Sequence, residues 1–309
     1  MIPRRSTAKL DLLKINSTGL KPQRDYVAVE EPLEIRLNYE DACGQRAEQN
    51  ISITMRTPGE DFELAAGFLY SERIIQSPGQ VEQISYCVGA KKDKQHYNIV
   101  TVALKSGVVF DSDRLLRHFY TTSSCGVCGK ASLEAISTQG CQRLSEGLAI
   151  APEQLFAFPE RLRNAQAVFE KTGGLHAAAL FDARGNLVSL HEDVGRHNAV
   201  DKLIGAQLLA NNLPLDEFIM LVSGRAGFEI IQKALTARIP IVASVGAPSS
   251  LAVDLAREFK MTLIGFLRGE TFNIYSAKQR IISPSPVVSV VIFASELGES
   301  FSDRLSRFS

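Results

Sequence analysis

Two cysteines, Cys125 and Cys128, lie three residues apart among glycines and hydroxyl side chains. The sequence that follows predicts the start of a helix, which Ser123 or Ser124 can cap. At such a start, free backbone N–H groups and the helix dipole stabilise a thiolate, and Lys130 adds a positive charge. The pattern therefore indicates either a nucleophilic sulfur or a metal-bound one.

Zinc binding is the alternative interpretation of this pair. His176 or His197 would then supply further ligands, in a structural site or in a deaminase-like hydrolytic one. The deaminase signature places His-x-Glu before Pro-Cys-x-x-Cys, whereas here the cysteine pair comes first and no proline precedes it. Because the chain has a single Cys-x-x-Cys, a tetrahedral site would need scattered ligands, and we predict no permanent metal.

Two polar segments are further candidates. His176 follows a pair of glycines and precedes an apolar run, and residues 191–198 (His-Glu-Asp-Val-Gly-Arg-His-Asn) are dense in titratable groups. The second segment lies between a predicted strand and a predicted helix, which favours a functional role. The sequence does not decide whether Glu192, Asp193 and Arg196 orient a ligand, move protons or hold the loop.

Composition limits the class of protein. With 309 residues, of which 45% are hydrophobic and 22% charged, the chain is large enough for one large or two ordinary domains. Lysines plus arginines and acidic residues both number 34, so no global basic field draws the protein to DNA, RNA or anionic lipid. No apolar run reaches ~18 residues and no secretory signal is evident. We expect a cytoplasmic protein without membrane insertion, and five cysteines argue against a disulfide framework.

The first part of the chain has a mixed pattern. Apolar alternation predicts strands over residues 32–37 and 51–55, and residues 97–104 with 108–110 predict a hairpin. Between the second strand and this hairpin, Thr57 is predicted to cap a helix, with Glu60 closing a capping box. Residues 1–26 show no clear period, so we expect a loose arm there.

Helices are predicted over residues 133–144 and 153–171. After residue 171, strands and helices alternate. A second hairpin (177–181 and 187–190) is followed by helices over 199–210, 228–237 and 251–259, by strands over 218–222, 241–245 and 262–266, and by a last strand over 287–294. This alternation predicts a parallel sheet covered on both faces.

The predicted organisation has five parts. They are a loose arm (1–25), a β-rich α+β subdomain (26–120), the cysteine loop with a helical connection (121–171), an α/β cofactor-binding domain (172–295) and a polar end (296–309).

Three loops follow successive strands of the predicted sheet, in the position where α/β sheets bind ligands. They cover residues 223–227, 244–250 and 266–271 and share glycines and hydroxyls. Arg225 and Arg268 offer forked partners for phosphate, and the helix starts offer backbone donors. The loops together predict a phosphate-bearing ligand such as a nucleotide, although neither the Walker nor the dinucleotide fingerprint is present.

Several ordered blocks resemble the FdhD/NarQ family of formate dehydrogenase accessory sulfurtransferases. They are residues 57–69, 123–130, 172–178, 192–202, 223–225 and 247–256, so the similarity runs from about residue 26 to residue 275. The chain departs from the family pattern at His191, where arginine is common, and at Gly227, where serine is frequent.

The resemblance implies a sulfur carrier with an α/β fold, a layered sheet flanked by helices as in cytidine deaminases. Cys125 would carry a persulfide received from a cysteine desulfurase, and Cys128 would assist. The sulfur would pass to the molybdenum cofactor, in its bis-molybdopterin guanine dinucleotide form, before insertion into formate dehydrogenase. A homodimer is also implied. A non-catalytic cofactor chaperone is the remaining alternative, and it would tolerate loss of both thiols.

The candidate cofactor-binding residues combine the loops, the histidines and the block implied by the resemblance. They are His176, His197, Ser223, Gly224, Arg225, Phe266, Leu267, Arg268, Gly269, Glu270 and Thr271.

Overall fold

The computed structural model describes residues 5–41, 43–87, 97–108, 110 and 141–282. These residues form three β-sheets and seven α-helices. None of the described helices is both long and apolar enough to cross a membrane. The cysteine loop, the predicted strand over 287–294 and the polar end lie outside the described residues, and the predicted domain boundaries stay predictions.

The N-terminal residues form an exposed hairpin. Its strands are β1 (Thr7–Asn16) and β2 (Gly19–Ala28), which pair antiparallel around a two-residue turn. The expectation of a loose arm without regular structure is therefore wrong. Apolar side chains lie on both faces of this ribbon, so the sequence lacks the alternation that marks a strand with one buried face.

A four-stranded sheet follows, in the order β4-β3-β6-β5. Leu33, Ile35 and Leu37 of β3 are fully buried and pack in one cluster with Leu64 and Leu69 of helix α1. The predicted strands over 32–37 and 51–55 are confirmed, as is the helix. The elements are β3 (Glu31–Glu40), β4 (Arg46–Arg56), α1 (Asp61–Ser71), β5 (Val81–Tyr86) and β6 (Ile99–Leu104).

Two local predictions in this part are wrong. Helix α1 starts after Glu60, whose φ is 56°, without a side-chain cap, because Thr57 is used elsewhere. The Thr57 hydroxyl accepts a hydrogen bond from Val194 N at 3.3 Å, and its own N–H donates to Asp193 Oδ2 at 3.1 Å. The hairpin over 97–104 and 108–110 is not formed, since β6 has β3 on one edge and β5 on the other.

The chain then crosses to the second part through three short helices. They are α2 (Pro152–Phe156), α3 (Phe158–Ala165) and α4 (Ala167–Thr172). The helical stretch predicted over 153–171, with Pro159 interrupting it, is broken near Ala157 because Pro159 has no N–H to bond the preceding turn. A second break falls at Gln166, where ψ is 82°. The helix predicted over 133–144 lies largely outside the described residues, and 141–144 are not helical.

The largest sheet has six strands in the order β12-β11-β10-β9-β7-β8. Its strands are β7 (His176–Phe181), β8 (Leu187–Asp193), β9 (Ile219–Val222), β10 (Ile241–Ser244), β11 (Thr262–Arg268) and β12 (Thr271–Ser276). Only the neighbouring strands β9, β10 and β11 pair in parallel, so the prediction of a parallel sheet is right for its centre alone. β7 pairs antiparallel with β9, and the hairpins β7–β8 and β11–β12 supply the two other antiparallel pairs.

Helices cover both faces of this sheet, as predicted. Helices α5 (Arg196–Leu209), α6 (Phe228–Thr236) and α7 (Ser250–Glu258) contribute to one buried cluster, and α2 and α3 contribute to the cluster on the other face. The architecture is thus a mixed α/β fold with several sheets flanked by helices. The closer likeness to cytidine deaminases stays a prediction.

Helices α1 and α5 cross at two glycines and thereby join the two larger sheets. A Cβ atom on Gly67 would lie 1.8 Å from the carbonyl oxygen of Asp201, and one on Gly205 would lie 1.8 Å from that of Glu63. No other residue type fits at either position. We call this contact the α1–α5 crossing.

A buried charge cluster lies beside the crossing. The Lys233 ammonium contacts both carboxylate oxygens of Asp201, at 2.8 and 2.9 Å, and the Ser71 hydroxyl donates to the same carboxylate at 2.9 Å. The attraction between the paired charges and the added hydrogen bond offset the desolvation penalty of burial, and the cluster fixes the helices relative to each other.

Candidate functional site: a cationic crevice

The three predicted loops lie side by side at the carboxyl edge of the central strands. Backbone hydrogen bonds connect them, from Gly246 N to Gly224 O and from Phe266 N to Gly246 O, both at 3.0 Å. The sequence prediction that the loops share one edge of the sheet is confirmed.

Close backbone approach explains two of the loop glycines. A Cβ on Gly246 would lie 3.0 Å from the Gly224 carbonyl oxygen, and a Cβ on Gly224 would lie 3.2 Å from His176 Nδ1. Larger residues at either position would push the loops apart. The glycines therefore keep the crevice narrow, with the start of β7 close to the loop after β9 and that loop close to the loop after β10.

An open cavity of about 560 Å³ lies beside these loops. We call it the crevice, and its lining residues are His176, Arg196, Ser223, Gly224, Arg225, Val245, Gly246 and Arg268. Five of the predicted cofactor-binding residues are among them: His176, Ser223, Gly224, Arg225 and Arg268. Arg196, Val245 and Gly246 line it in addition.

Three arginines make the crevice cationic. Arg196 is the first residue of α5, and Arg225 and Arg268 are exposed on their loops. None of the three forms an ion pair with a residue that the structure describes, and the Arg196 Nε is buried without a hydrogen-bond partner there. Unpaired guanidinium groups around a cavity favour an anion, above all phosphate, which they can bind through two parallel hydrogen bonds.

Arg196 is the charged crevice residue that the sequence left undecided between ligand binding and support of the loop. It stood in the charged segment 191–198, but its neighbours there gave no reason to separate it from them. The signal was present in its position at the start of a predicted helix, where an anion is favoured.

His176 lies at the start of β7, partly buried in the crevice wall. Burial lowers the pKa of His176 below its ordinary value, and the nearby positive charge of Arg196 lowers it further. The ring is therefore neutral at neutral pH and has one nitrogen free to accept a hydrogen bond. The adjacent Ser223 hydroxyl is engaged, since it accepts from Ala177 N at 2.9 Å.

His197 does not line the crevice. Its Nε2 lies 2.7 Å from Glu229 Oε2 in the first turn of α6. This hydrogen bond with His197 is the main reason why the pKa of Glu229 is lowered. The ring is thus held by α6, and its predicted role in cofactor binding stays a prediction.

The remaining polar residues of segment 191–198 hold the loop. The Glu192 carboxylate accepts from Val168 N at 2.9 Å and Phe169 N at 2.8 Å, which caps α4. Asp193 is fully buried, and its carboxylate lies 2.8 Å from the Lys202 ammonium. The segment therefore combines structural carboxylates with one crevice residue, Arg196.

Residues 266–271 form the end of β11 and its turn into β12. Within this block only Arg268 lines the crevice. The Leu267 side chain is buried in the core, and Gly269 has a φ of 51°, which the turn requires. Phe266 belongs to β11, Glu270 to the turn and Thr271 to β12, and the Arg268 guanidinium is 5.5 Å from the Phe266 ring centre.

Cys125 and Cys128 lie outside the described residues, so their position relative to the crevice is not given. Within the described part of the chain, no group of three or more histidine, cysteine, aspartate or glutamate residues could hold a metal ion. The zinc alternative for the cysteine pair is not tested by this observation.

The fold and the site together define a class: an α/β protein with a cationic crevice at the carboxyl edge of its central strands. Sequence comparison gives the family. The FdhD/NarQ family profile matches residues 28–282, and the chain belongs to this family.

Curated relatives span nearly the whole chain. The chain is 50% identical over 280 residues to the sulfur carrier protein FdhD of Streptomyces avermitilis. This alignment covers 90% of this chain and 96% of the relative. It is 48% identical over 283 residues to the protein of that name from Mycobacterium tuberculosis, covering 89% and 99%. The protein of that name from Saccharolobus solfataricus is 43% identical over 273 residues, covering 88% and 97%.

One solved structure has a similar fold. It is the crystal structure of a candidate formate dehydrogenase accessory protein from Desulfotalea psychrophila, with a TM-score of 0.68 and 24% sequence identity. The alignment covers 90% of this chain and 100% of that one. At this identity the likeness supports the fold.

Proposed function

We propose that this chain is a sulfur carrier and sulfurtransferase that serves the maturation of formate dehydrogenase. The observation that carries the proposal is the similarity, over nearly the full length of both chains, to proteins named sulfur carrier protein FdhD. The crevice supplies a place for an anionic acceptor, and the cysteine pair supplies a carrier thiol.

Sulfur loading begins at Cys125. Its thiolate attacks the outer sulfur of a persulfide on a cysteine desulfurase, the S–S bond of the donor breaks, and the donor cysteine leaves as a thiolate. Cys125 then carries the persulfide, and no electrons are gained or lost overall. This exchange needs reduced thiols, which places it in a reducing compartment such as the cytoplasm.

Sulfur release is the proposed task of Cys128. Its thiolate attacks the inner sulfur of the Cys125 persulfide, so that a disulfide forms between the two cysteines and the outer sulfur leaves as sulfide. The two cysteines supply the two electrons that reduce this sulfur. A cellular dithiol must reduce the disulfide before the next cycle.

The crevice is the proposed binding site for the acceptor, the molybdenum cofactor in its bis-molybdopterin guanine dinucleotide form. This acceptor is a polyanion, and its pyrophosphates match the guanidinium groups of Arg196, Arg225 and Arg268, none of which forms an ion pair with a described residue. The start of α7, where Ser249 caps the helix, adds backbone donors at the same edge. The sulfurated cofactor would then be passed to formate dehydrogenase.

A maturation assay tests this proposal. Cells that lack their own FdhD-type protein would be supplied with the wild-type chain, Cys125→Ala or Cys87→Ala, and formate dehydrogenase activity would be measured. We expect full activity with the wild type and with Cys87→Ala, an exposed thiol outside the pair, and loss of activity with Cys125→Ala. Normal activity of Cys125→Ala would show that the chain is not a carrier, and normal activity without either thiol would support a chaperone.

A further inference from the structure

Ser189, His191 and Glu60 form a chain of contacts outside the crevice that the proposed function does not use. The His191 residue is 8% exposed, and its Nε2 lies 2.9 Å from the Ser189 hydroxyl. On the other side of the ring, Nδ1 lies 3.0 Å from Glu60 Oε1. A hydroxyl at one ring nitrogen and a carboxylate at the other is the order of groups in a nucleophile–base–carboxylate triad.

Two elements bring these side chains together. Ser189 and His191 are two positions apart on β8, so they lie on the same face of that strand. Because β8 is an outer strand of the largest sheet, the partly buried Ser189 can be reached from solvent. Glu60 comes directly before α1, in the left-handed conformation that residues other than glycine rarely adopt. The fold therefore places a reachable hydroxyl beside a buried base.

The charge of Glu60 determines which nitrogen of His191 carries the proton. Burial alone would raise the pKa of Glu60, but the contact with His191 and the charge of Lys202 lower it below its ordinary value. Glu60 is therefore ionised at neutral pH, and an ionised carboxylate only accepts hydrogen bonds. It favours the tautomer with the proton on Nδ1. Nε2 is then the acceptor, and the Ser189 hydroxyl donates to it.

The contact between Glu60 and His191 is close but not aligned. Nδ1 has no hydrogen bond of good geometry among the described residues, although the carboxylate oxygen is 3.0 Å away. The Glu60 side chain is 45% exposed, so it has room to turn toward the N–H. Hydrogen bonds in catalytic sites are often poorly aligned without a substrate and become aligned in the complex.

We propose that Ser189 is a nucleophile that hydrolyses small uncharged carboxylic esters, with His191 as its base and Glu60 as the residue that positions the base. The Ser189 oxygen attacks the ester carbonyl carbon while its proton passes to His191 Nε2. The ester C–O bond then breaks, and the alcohol leaves with that proton. Water next gives a proton to the same nitrogen and attacks the acyl group, which leaves as the acid and restores the hydroxyl.

The substrate class follows from the surroundings of the hydroxyl. The negative charge of Glu60 disfavours an anionic ester at this site, in contrast to the cationic crevice. Ser189 is also partly buried, so a short acyl group reaches it more readily than a long one.

His191 provides the sharpest control for this proposal. Arginine is common at this position in the FdhD/NarQ family, so His191→Arg introduces a residue that the fold accepts and keeps a positive partner for Glu60. Arginine stays protonated in proteins and cannot take the serine proton. The variant therefore removes the base and leaves the ion pair.

Labelling with a fluorophosphonate probe tests the nucleophile. The serine oxygen displaces fluoride from phosphorus, and the product stays on the protein, where peptide mapping locates it. We expect label on Ser189 of the wild type and a rate at least about a hundredfold lower in His191→Arg, since a general base contributes this much. Ser106→Ala is the control, because the Ser106 hydroxyl donates to Glu40 and contacts no histidine.

Two results of the labelling would overturn the proposal: a wild-type protein without label on Ser189, or labelling of His191→Arg at the wild-type rate. Urea denaturation would confirm that His191→Arg is folded, and His191→Gln replaces it if it is not. Cys125→Ala should be labelled like the wild type. The outcome is therefore independent of whether the chain carries sulfur.

Hydrolysis of p-nitrophenyl acetate tests the positioning role of Glu60. The rate of Ser189→Ala is subtracted, because free cysteines also react with this ester. Glu60→Gln keeps the size of the side chain and loses its charge, so we expect kcat to fall about tenfold at an unchanged KM. An unchanged kcat would remove Glu60 from the proposed triad.

Discussion

Helix α5 contributes to two regions, the crevice and the α1–α5 crossing. Both contain glycines and charged side chains, but they differ in whether the charges are paired. At its start, Arg196 faces a crevice whose arginines have no charged partner among the described residues. In its middle, Asp201 is paired with Lys233, and Gly205 touches the backbone of α1. The crevice keeps its charges free, and the α1–α5 crossing neutralises them.

This difference in pairing distinguishes charges that can bind a ligand from charges that stabilise the fold. A buried charge must be paired, because desolvation of an isolated ion costs several kcal/mol. Arg225 and Arg268, which form no ion pair with a described residue, are tolerated at the crevice because both are exposed to solvent until a ligand arrives. We therefore expect substitutions at the crossing to change stability without changing ligand binding, and substitutions in the crevice to change ligand binding without changing stability.

The largest effect is expected for Lys233→Met at the crossing. Loss of the ammonium leaves the buried Asp201 carboxylate with Ser71 as its hydrogen-bond partner, and we expect the free energy of unfolding to fall by about 3 kcal/mol. Urea denaturation measures it. Lys171→Met, at an exposed lysine, is the control and should stay within about 0.5 kcal/mol. The comparison fails if Lys233→Met is as stable as the control.

Gly67→Ala tests the close approach of the helices. The added methyl would overlap the Asp201 carbonyl, so the helices must separate, and the expected loss of stability is about 2 to 3 kcal/mol. Gly147→Ala introduces the same methyl where nothing lies within 4 Å. Equal unfolding midpoints for the two variants would contradict the described crossing.

Arg225→Ala and Arg268→Ala test the crevice. With guanosine diphosphate as the probe in calorimetric titration, each variant is expected to bind about tenfold more weakly, since a charge-assisted hydrogen bond contributes roughly 1.5 kcal/mol. Unfolding should be unaffected because both side chains are exposed. Arg184→Ala, at an exposed arginine in the β7–β8 turn, should bind like the wild type. Unchanged affinity in both crevice variants would remove the crevice from the account.

The smallest effect concerns pH. The pKa of His176 is lowered, so the folded protein protonates this ring less readily than the unfolded chain does. Without a ligand, the ring therefore stays neutral until the pH falls below about 6.5, the ordinary value for histidine. A bound phosphate favours the charged ring. Affinity for the same probe should therefore rise about threefold more in the wild type than in His176→Gln as the pH falls below this value. Comparing the two proteins cancels the titration of the probe itself, and parallel pH curves would contradict the assignment of His176 to the crevice.

Sequence reasoning predicted the α/β half of the fold because its elements are simple to read. The runs at β9, β10 and β11 are continuous and apolar, as in buried central strands, and the helices between them are long enough to be distinct. It also placed Arg225 and Arg268 at one edge, because the ends of parallel strands must meet there.

The wrong predictions concern residues whose contacts are with residues far away in the sequence. Thr57 has the residue type and position of a helix cap, but Val194 takes its hydroxyl, and local pattern does not reveal that competition. The sequence did not show that Arg196 lines the crevice whereas Glu192 and Asp193 support the loop. The structural role of the two carboxylates depends on partners that only folding brings to them, a backbone N–H for Glu192 and Lys202 for Asp193.

Sulfur loading of Cys125 is the central claim, and intact-protein mass spectrometry tests it most directly. The wild type, Cys125→Ala, Cys128→Ala and Cys87→Ala would be incubated with a cysteine desulfurase and cysteine, and metal content would be measured on the same samples. We predict a gain of about 32 Da, the mass of one sulfur atom on the cysteine oxidation ladder, that a reductant removes and that only Cys125→Ala abolishes. No gain of sulfur, with stoichiometric zinc that is lost when either cysteine of the pair is replaced, would contradict the carrier account.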